Sequence, residues 1–333
     1  MIHRYSLKGK NFLLDVNSGA VHVLDDISYA VSEFIEKGMP EECPEAICQK
    51  LPQYSKEQVT DAYAELWELE QNGYLFTEDD YIDVSKYIPV GAPVKALCLH
   101  VAHDCNLRCK YCFASTGDFG TGRKIMDFDV AKKAIDFVIA KSGKRRNIEI
   151  DFFGGEPLMA FDTVKKTVAY ARGLEEQTGK KFRFTITTNG IALNDEIADY
   201  INSNMDNVVL SLDGRKEIND DMRPTVNGKG SYDTILPKFQ KLVHERSRDR
   251  DYYVRGTFTN QNLDFSEDVR HIANAGFDQL SVEPVTLEEN LPYALKEEDL
   301  PTIFAEYEKL CDLMLEREKA GKSFNFFLSL IHI

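Results

Sequence analysis

Residues 103–113 read His103-Asp104-Cys105-Asn106-Leu107-Arg108-Cys109-Lys110-Tyr111-Cys112-Phe113. The spacing of Cys105, Cys109 and Cys112 is C-x3-C-x2-C, which lets one loop present three thiolates to a single cluster. Thiolate is the usual ligand of iron in [4Fe–4S] clusters, which normally take four protein ligands. Three neighbouring cysteines without an evident fourth therefore predict a cluster with one iron open to a small molecule, as an open zinc position accepts water or substrate.

Three other interpretations of this loop stay open: a zinc site, a redox-active thiol cluster, and cysteines that only pack. A structural zinc site needs a fourth Cys or His at finger-like spacing, and His103 lies too close to Cys105 to complete one. The remaining cysteines do not form a recognisable disulfide framework, and packing is their expected role. They are Cys43, Cys48, Cys98 and Cys311.

Composition limits the classes of function. The length of 333 residues allows two domains, and a hydrophobic content of 43% is ample for a core. A net charge of -15 and a pI near 5.0 argue against nucleic acid as the main partner. No apolar run is long enough to span a bilayer, and the first residues lack a signal-peptide core. We expect a cytoplasmic protein in a reducing compartment without a membrane partner.

Residues 1–80 predict a small winged-helix-like α+β domain. Asp25 or Asp26 is placed to cap its first helix, and Ser55 with Gln58 forms a capping box for its third. Because the domain is acidic, a peptide is a better ligand for it than a phosphate backbone. The pattern predicts strands at 11–15, 20–24 and 74–76, and it predicts the first helix at 27–37.

Residues 94–320 alternate between apolar strands and helices, after an acidic linker at 81–93. Six such units predict a parallel sheet covered by helices, which right-handed crossovers curl into a partial (β/α)6 barrel. The fold class is therefore α/β, and residues 321–333 would begin a further C-terminal region. The predicted strands are 96–100, 148–153, 182–188, 208–212, 253–259 and 279–283.

Polar and glycine-rich motifs follow several of these strands, at the end where parallel sheets carry their active sites. Gly154-Gly155-Glu156-Pro157 follows the second strand, where two glycines allow close approach of a ligand. Ser211 ends the fourth strand and offers a short hydroxyl, and Arg223 could bind a carboxylate through two hydrogen bonds. Arg255 and Glu283 lie in the fifth and sixth strands.

These motifs together resemble radical S-adenosylmethionine (SAM) enzymes. The SPASM-containing, peptide-modifying branch is the more specific resemblance, and over the whole chain the sequence resembles the SCIFF peptide maturases, which form thioether cross-links in a cysteine-rich ribosomal peptide. The segments that carry the resemblance are Val21–Asp26, Cys105–Gly117, Asp151–Pro157, Ser211–Glu217 and Val226–Gly230.

The resemblance implies a role for each matched residue. Cys105, Cys109 and Cys112 would hold a [4Fe–4S] cluster whose open iron chelates SAM. Tyr111 would line the adenine or the cluster edge through its backbone, Ser211 would bind the ribose, and Arg223 would bind the carboxylate or nearby polar groups. The methionine ammonium group would be met by Gly154, Gly155 and Glu156.

The resemblance also implies partners. Residues 1–80 would recognise the leader of a cysteine-rich precursor peptide, and a reductant would supply electrons to the cluster. Members of this branch carry further cysteines in a C-terminal domain, and only Cys311 follows Cys112 here. We therefore expect a truncated member, whose thioether step is in doubt. The alternatives are a sulfatase-maturing type of radical SAM enzyme and a peptide-binding fragment with uncoupled SAM cleavage.

Overall fold

The computed structural model describes residues 1–79 and 91–327. They fall into two compact units, Met1–Ala92 and Pro93–Ile333, which are described separately. Most of the predicted linker, residues 81–90, and the end of the predicted C-terminal region, residues 328–333, lie outside the described residues. Within the described part of the chain, no helix combines the length and the apolar character that crossing a membrane requires.

The first unit packs three helices against a small antiparallel sheet. The sheet order is β1-β2-β3, so that β3 forms one edge. Its core includes Leu13 from the sheet and Tyr63 and Leu66 from the longest helix. The strands are β1 (Ile2–Leu7), β2 (Lys10–Asp15) and β3 (Val21–Leu24), and the helices are α1 (Asp26–Val31), α2 (Glu45–Lys50) and α3 (Lys56–Gln71).

Both predicted caps in this unit are confirmed, but the first helix is shorter than predicted. Asp25 accepts a hydrogen bond from the backbone of Ser28, and Ser55 and Gln58 form the capping box of α3. Helix α1 ends at Val31 rather than at residue 37, because the side chains of Arg4 and Ser32 take the carbonyl of Tyr29 in place of a backbone N–H group. The Arg4 side chain donates to the carbonyl of Tyr29 at 2.8 Å.

The predicted strand at 74–76 is wrong. Leu75 and Phe76 are buried in the core of the first unit, but their backbone forms no ladder. Phe76 has a φ of +54°, which a regular strand does not permit. The apolar run therefore reflects burial and not strand pairing. The three-stranded sheet is completed by β1 instead, which the sequence pattern did not reveal.

The second unit confirms the predicted partial barrel. All six predicted strands are present and parallel, and short strands at both edges, β5 and β11, were not predicted. The sheet order is β11-β10-β9-β8-β7-β6-β4-β5. The strands are β4 (Ala96–His103), β5 (Lys124–Ile125), β6 (Asn147–Gly154), β7 (Lys181–Thr188), β8 (Asn207–Ser211), β9 (Asp251–Phe258), β10 (Gln279–Pro284) and β11 (Asn325–Phe326).

Helices connect the strands and bury one face of the sheet. In β6, for example, Ile148, Ile150 and Phe152 are buried in the large core, whereas the alternate residues face the other side. Because the six strands are parallel, their carboxyl ends lie at the same edge of the sheet, together with the loops that follow them. The helices are α4 (Phe128–Lys141), α5 (Phe161–Thr178), α6 (Asp195–Asn204), α7 (Lys216–Met222), α8 (Tyr232–Glu245), α9 (Phe265–Asn274) and α10 (Leu300–Lys319).

Candidate functional site

The cysteine loop leaves the carboxyl end of β4, where the pairing register with β6 shifts between His100 and Ala102. Such an irregularity bends a strand and redirects the chain that follows it. The loop is held by backbone hydrogen bonds to the segment after α7. Arg108 donates to the carbonyl of Pro224 at 2.8 Å, and Lys110 donates to the carbonyl of Met222 at 3.0 Å.

The glycine pair after β6 lies directly against the start of this loop. A Cβ atom at Gly154, where φ is +129°, would stand 2.4 Å from the carbonyl oxygen of Ala102. A Cβ atom at Gly155 would stand 2.2 Å from the carbonyl oxygen of Asp104. No side chain fits either position, so the motif is explained first by close packing of two backbones.

One cavity of about 500 Å³ opens between the cysteine loop and the ends of the strands. Every residue for which the sequence predicts a cofactor role lines this cavity, so the structure brings these residues together. They are Cys105, Cys109, Tyr111, Cys112, Gly154, Gly155, Glu156, Ser211 and Arg223. The volume falls in the range typical of cofactor and small-ligand sites.

The donor set fits a cluster better than a single zinc ion. Zinc draws its sulfur ligands to about 2.3 Å around one point. Among residues 1–79 and 91–327, no three His, Cys, Asp or Glu side chains converge in that way. His103 is engaged elsewhere, since its Nδ1 lies 2.9 Å from Oγ1 of Thr121. Three cysteines on one cavity wall suit a polynuclear cluster, in which different irons take different thiolates.

Burial controls the protonation of these thiols. It raises the pKa of Cys105 to about 11 and that of Cys109 to about 12. The free thiols are therefore protonated at neutral pH, and a coordinated metal would deprotonate them outright. Iron binding is thus accompanied by proton release, as at other thiolate sites.

Glu156 is buried at the cavity wall and joins the ends of two strands. Its carboxylate accepts hydrogen bonds from the hydroxyl of Thr188 at 2.8 Å, from the backbone of Asn189 at 2.7 Å and from the backbone of Leu158 at 3.0 Å. Burial nevertheless raises the pKa of this carboxyl group to about 7. The three donors occupy most of the acceptor sites of the carboxylate and fix its position at the cavity wall.

Tyr111, Asp213 and Arg223 form a buried group beside the cysteines. The hydroxyl of Tyr111 donates to the carboxylate of Asp213, with distances of 2.9 and 2.7 Å to the two oxygens. Nη2 of Arg223 lies 2.9 Å from the same carboxylate. Nε of Arg223 has no hydrogen-bond partner in the described part of the chain. Arg223 therefore reaches the cavity with one side of its guanidinium group already paired.

The cavity is also lined by an ion pair between β9 and β10. Nη2 of Arg255 lies 2.6 Å from the carboxylate of Glu283, whose other oxygen accepts a hydrogen bond from Ser281 at 2.8 Å. Both charged residues line the cavity. The sequence pattern indicated Arg255 and Glu283 separately but not their pairing, because residues in neighbouring strands carry no mark of register.

Sequence reasoning missed how the loops are tied to each other. The side-chain amide of Asn189 donates to the side chain of Asn106 at 2.8 Å and lies 3.5 Å from Sγ of Cys105. A Cβ atom at Gly117 would stand 2.6 Å from Cβ of Cys105. Gly117 ends the segment Cys105–Gly117 that carries the resemblance, but neither residue was predicted to contact the cysteines.

Comparison with known proteins identifies this region. The sequence model of the Radical SAM superfamily matches residues 99–249, which include the cysteine loop, the glycine pair and Ser211. Residues 99–249 therefore match a radical SAM domain. This agrees with the predicted cofactors, because the superfamily uses a [4Fe–4S] cluster and SAM.

Two curated relatives share this domain. An uncharacterized protein of Methanocaldococcus jannaschii is 33% identical over 194 residues, which are 56% of this chain and 62% of that protein. A cysteine-type anaerobic sulfatase-maturating enzyme of Clostridium novyi is 32% identical over 143 residues, or 42% of this chain and 37% of that enzyme. The chain thus matches less than two thirds of the length of either relative.

Solved structures show the same fold. The enzyme anSMEcpe, crystallised with AdoMet (SAM) and the Kp18Cys peptide, has a TM-score of 0.60 at 20% identity, covering 70% of this chain and 64% of that chain. SuiB of Streptococcus suis has a TM-score of 0.50 at 16% identity, covering 98% of this chain and 70% of that chain. At these identities the likeness establishes fold, and the substrate must be argued separately.

Proposed function

We propose that this chain belongs to a peptide maturase that cleaves SAM reductively and closes Cys thioether cross-links in a cysteine-rich ribosomal peptide. The observation that carries the proposal is that one cavity is lined by the three cysteines, by the SAM-matched residues and by the Arg255–Glu283 pair. Such a cavity has room for a cofactor beside a reacting side chain. The proposed setting is a reducing cytoplasm, where the thiols stay free.

The proposed assignment of residues follows the geometry. Cys105, Cys109 and Cys112 would hold the cluster, which when bound and reduced supplies the electron that cleaves SAM into methionine and a 5′-deoxyadenosyl radical. The backbone at Gly155 would orient the methionine ammonium group, and Ser211 would orient the ribose. The buried walls exclude water, so that the radical meets the positioned C–H bond of the peptide and not solvent.

The proposed product follows from atom balance. Transfer of one hydrogen atom from a peptide C–H bond gives 5′-deoxyadenosine and a carbon radical. Attack by a cysteine sulfur would then close the C–S bond; the thiol proton would go to solvent, and one electron would return to an oxidised iron–sulfur cluster. Each thioether therefore removes two hydrogen atoms from the peptide.

The first unit offers a binding surface for the leader of such a peptide. Strand β3 is an edge strand, and in the described part of the chain it pairs only with β2. Two valines on one face of this strand are exposed, Val21 by 54% and Val23 by 63%. An edge with exposed apolar side chains accepts an extended peptide as an added strand, through main-chain hydrogen bonds and side-chain pockets.

A second candidate is the maturation of sulfatases. The favouring observation is the relative from Clostridium novyi, a cysteine-type anaerobic sulfatase-maturating enzyme, which is 32% identical over 143 residues. It shares the radical SAM domain, whereas the β3 edge of the first unit is better explained by a leader peptide. The two candidates differ in substrate, so one comparison separates them.

Mass spectrometry of two peptides tests the proposal. The reduced, cluster-loaded protein would be incubated with SAM and either a cysteine-rich precursor peptide encoded beside its gene or a cysteine-containing sulfatase peptide. We expect the precursor to lose two hydrogens per thioether and the sulfatase peptide to remain unchanged. Modification of the sulfatase peptide alone would favour the second candidate and contradict the first.

A further inference from the structure

Tyr111 connects the cysteine loop to a buried carboxylate that belongs to a different part of the sheet. It lies between Cys109 and Cys112, and its hydroxyl group donates to Asp213, which follows the end of β8. The side chain of Asp213 is completely buried. A buried carboxylate requires compensation by donors or by a cation, so this contact belongs to a larger arrangement.

The donors around Asp213 come from three segments of the chain. Besides Tyr111, its Oδ1 accepts a hydrogen bond from the backbone N–H of Thr257 in β9 at 3.0 Å and faces Nη2 of Arg223 at 2.9 Å. The guanidinium carbon of Arg223 lies 5.5 Å from the centre of the Tyr111 ring, within range of a cation–π contact. Asp213 is thus the shared partner of the tyrosine and the arginine.

The same arginine lies in the segment to which the backbone of the cysteine loop is bonded. Met222 and Pro224, on either side of it, accept the hydrogen bonds from Lys110 and Arg108. Its guanidinium group also lines the cavity that the three cysteines line, so its charge lies at the same site. Changes at Asp213 should therefore reach the cysteines through both geometry and charge.

We propose that Asp213 is the positioning residue of the cysteine loop: it fixes Tyr111 and neutralises Arg223, so that retention and reduction potential of the cluster depend on its carboxylate. The inference rests on the proposed cluster site but not on the peptide substrate. It assigns Asp213 no contact with SAM or with the reacting atoms.

Two substitutions separate the geometry from the charge. Tyr111→Phe keeps the ring and the ion pair but removes the bond from the loop to Asp213. Asp213→Asn keeps the shape and the acceptor facing Arg223 and Thr257 but removes the negative charge. Asp268→Asn is the matched control, because the Asp268 side chain is also completely buried and paired with an arginine, Arg215, at 2.8 Å.

The full chain would be reconstituted anaerobically and measured in two ways: the rate of iron release to a chelator, and the midpoint potential of the cluster by redox titration followed by electron paramagnetic resonance. We expect both Tyr111→Phe and Asp213→Asn to release iron about 10-fold faster than the wild type. Asp213→Asn should also shift the potential upward, since Arg223 is left unpaired, whereas Tyr111→Phe should leave it nearly unchanged.

The control variant, Asp268→Asn, should release iron at the wild-type rate and keep the wild-type midpoint potential, even where its melting temperature falls. Tyr111→Phe is the milder change, and it tests the inference even where Asp213→Asn does not fold. Iron release from Tyr111→Phe at the wild-type rate would overturn the proposal. Equally fast release in Asp268→Asn would do the same, because it would show a general loss of stability. A wild-type chain that binds no iron would instead overturn the cluster site itself.

Discussion

The carboxylate of Glu156 accepts a hydrogen bond from the backbone N–H of Asn189 at 2.7 Å, and both residues are buried. This bond joins the loop after β6 to the loop after β7. Asn189 in turn contacts Cys105 through its side chain. One buried carboxylate therefore helps to fix the distance between the glycine pair and the cysteine loop.

Substituting Glu156 by Gln tests this connection. The amide has a single acceptor oxygen, so at least one of the three donors around it would face an N–H group. We expect a loss of about 1–3 kcal/mol in the free energy of unfolding at about pH 5, where the buried carboxyl group is protonated and its ionisation adds no cost. Chemical denaturation measures the loss, and Glu149→Gln, an exposed change in the same strand, should cost much less. Equal losses would contradict the assigned role.

The stability of the chain should depend on pH through the same residue. Burial raises the pKa of Glu156 to about 7, above its ordinary value of 4.5, so the folded protein binds this proton more tightly than the unfolded chain. Its contribution is therefore fully present below pH 4.5 and is lost as the pH rises to 7, by roughly 3 kcal/mol. Glu156→Gln should show a flatter profile. Parallel pH profiles for the two proteins would contradict the shift.

Iron content tests the cysteine assignment. After anaerobic reconstitution, the wild type should bind about four irons and show thiolate-to-iron charge-transfer absorbance. Replacing Cys105, Cys109 and Cys112 together by Ala should abolish both. The matched control replaces Cys43, Cys48 and Cys311, which are not among the residues that line the cavity, and it should bind iron as the wild type does. A full cluster in the first variant would show that the ligands are elsewhere.

Much of the fold was predictable because its signals are local. The six parallel strands of the barrel follow from apolar runs such as Ile148–Phe153, and the helix caps follow from single residues such as Asp25 and Ser55. The failures came where a distant residue decided the outcome. Arg4, which lies in β1, donates to the last turn of α1, and no pattern within residues 27–37 could reveal this contact.

The sequence predicted which residues form the site, but it did not predict which of them contact each other. All nine predicted residues line one cavity, since their motifs end neighbouring strands. The partners of these residues depend on register and loop conformation, which sequence spacing does not encode. For Arg223, the sequence indicated a carboxylate partner, and the structure provides one within the chain, Asp213.

The β3 edge gives a test of leader binding that leaves the barrel untouched. Changing Val21 and Val23 together to Ser removes exposed apolar surface, so we expect the affinity of the full chain for a leader peptide to fall about 10-fold, measured by titration calorimetry. Val16→Ser is the control, because Val16 is also exposed in the first unit but lies outside the strand. Unchanged affinity in the double variant would place the leader elsewhere.

The central claim is that the three cysteines and the cavity beside them form a working site for SAM cleavage. The most direct measurement is the amount of 5′-deoxyadenosine formed when the cluster-loaded chain is reduced with SAM present. We expect continuing formation by the wild type and none by the variant in which Cys105, Cys109 and Cys112 are changed to Ala. No product from a wild-type chain that carries about four irons and is fully reduced would contradict the account.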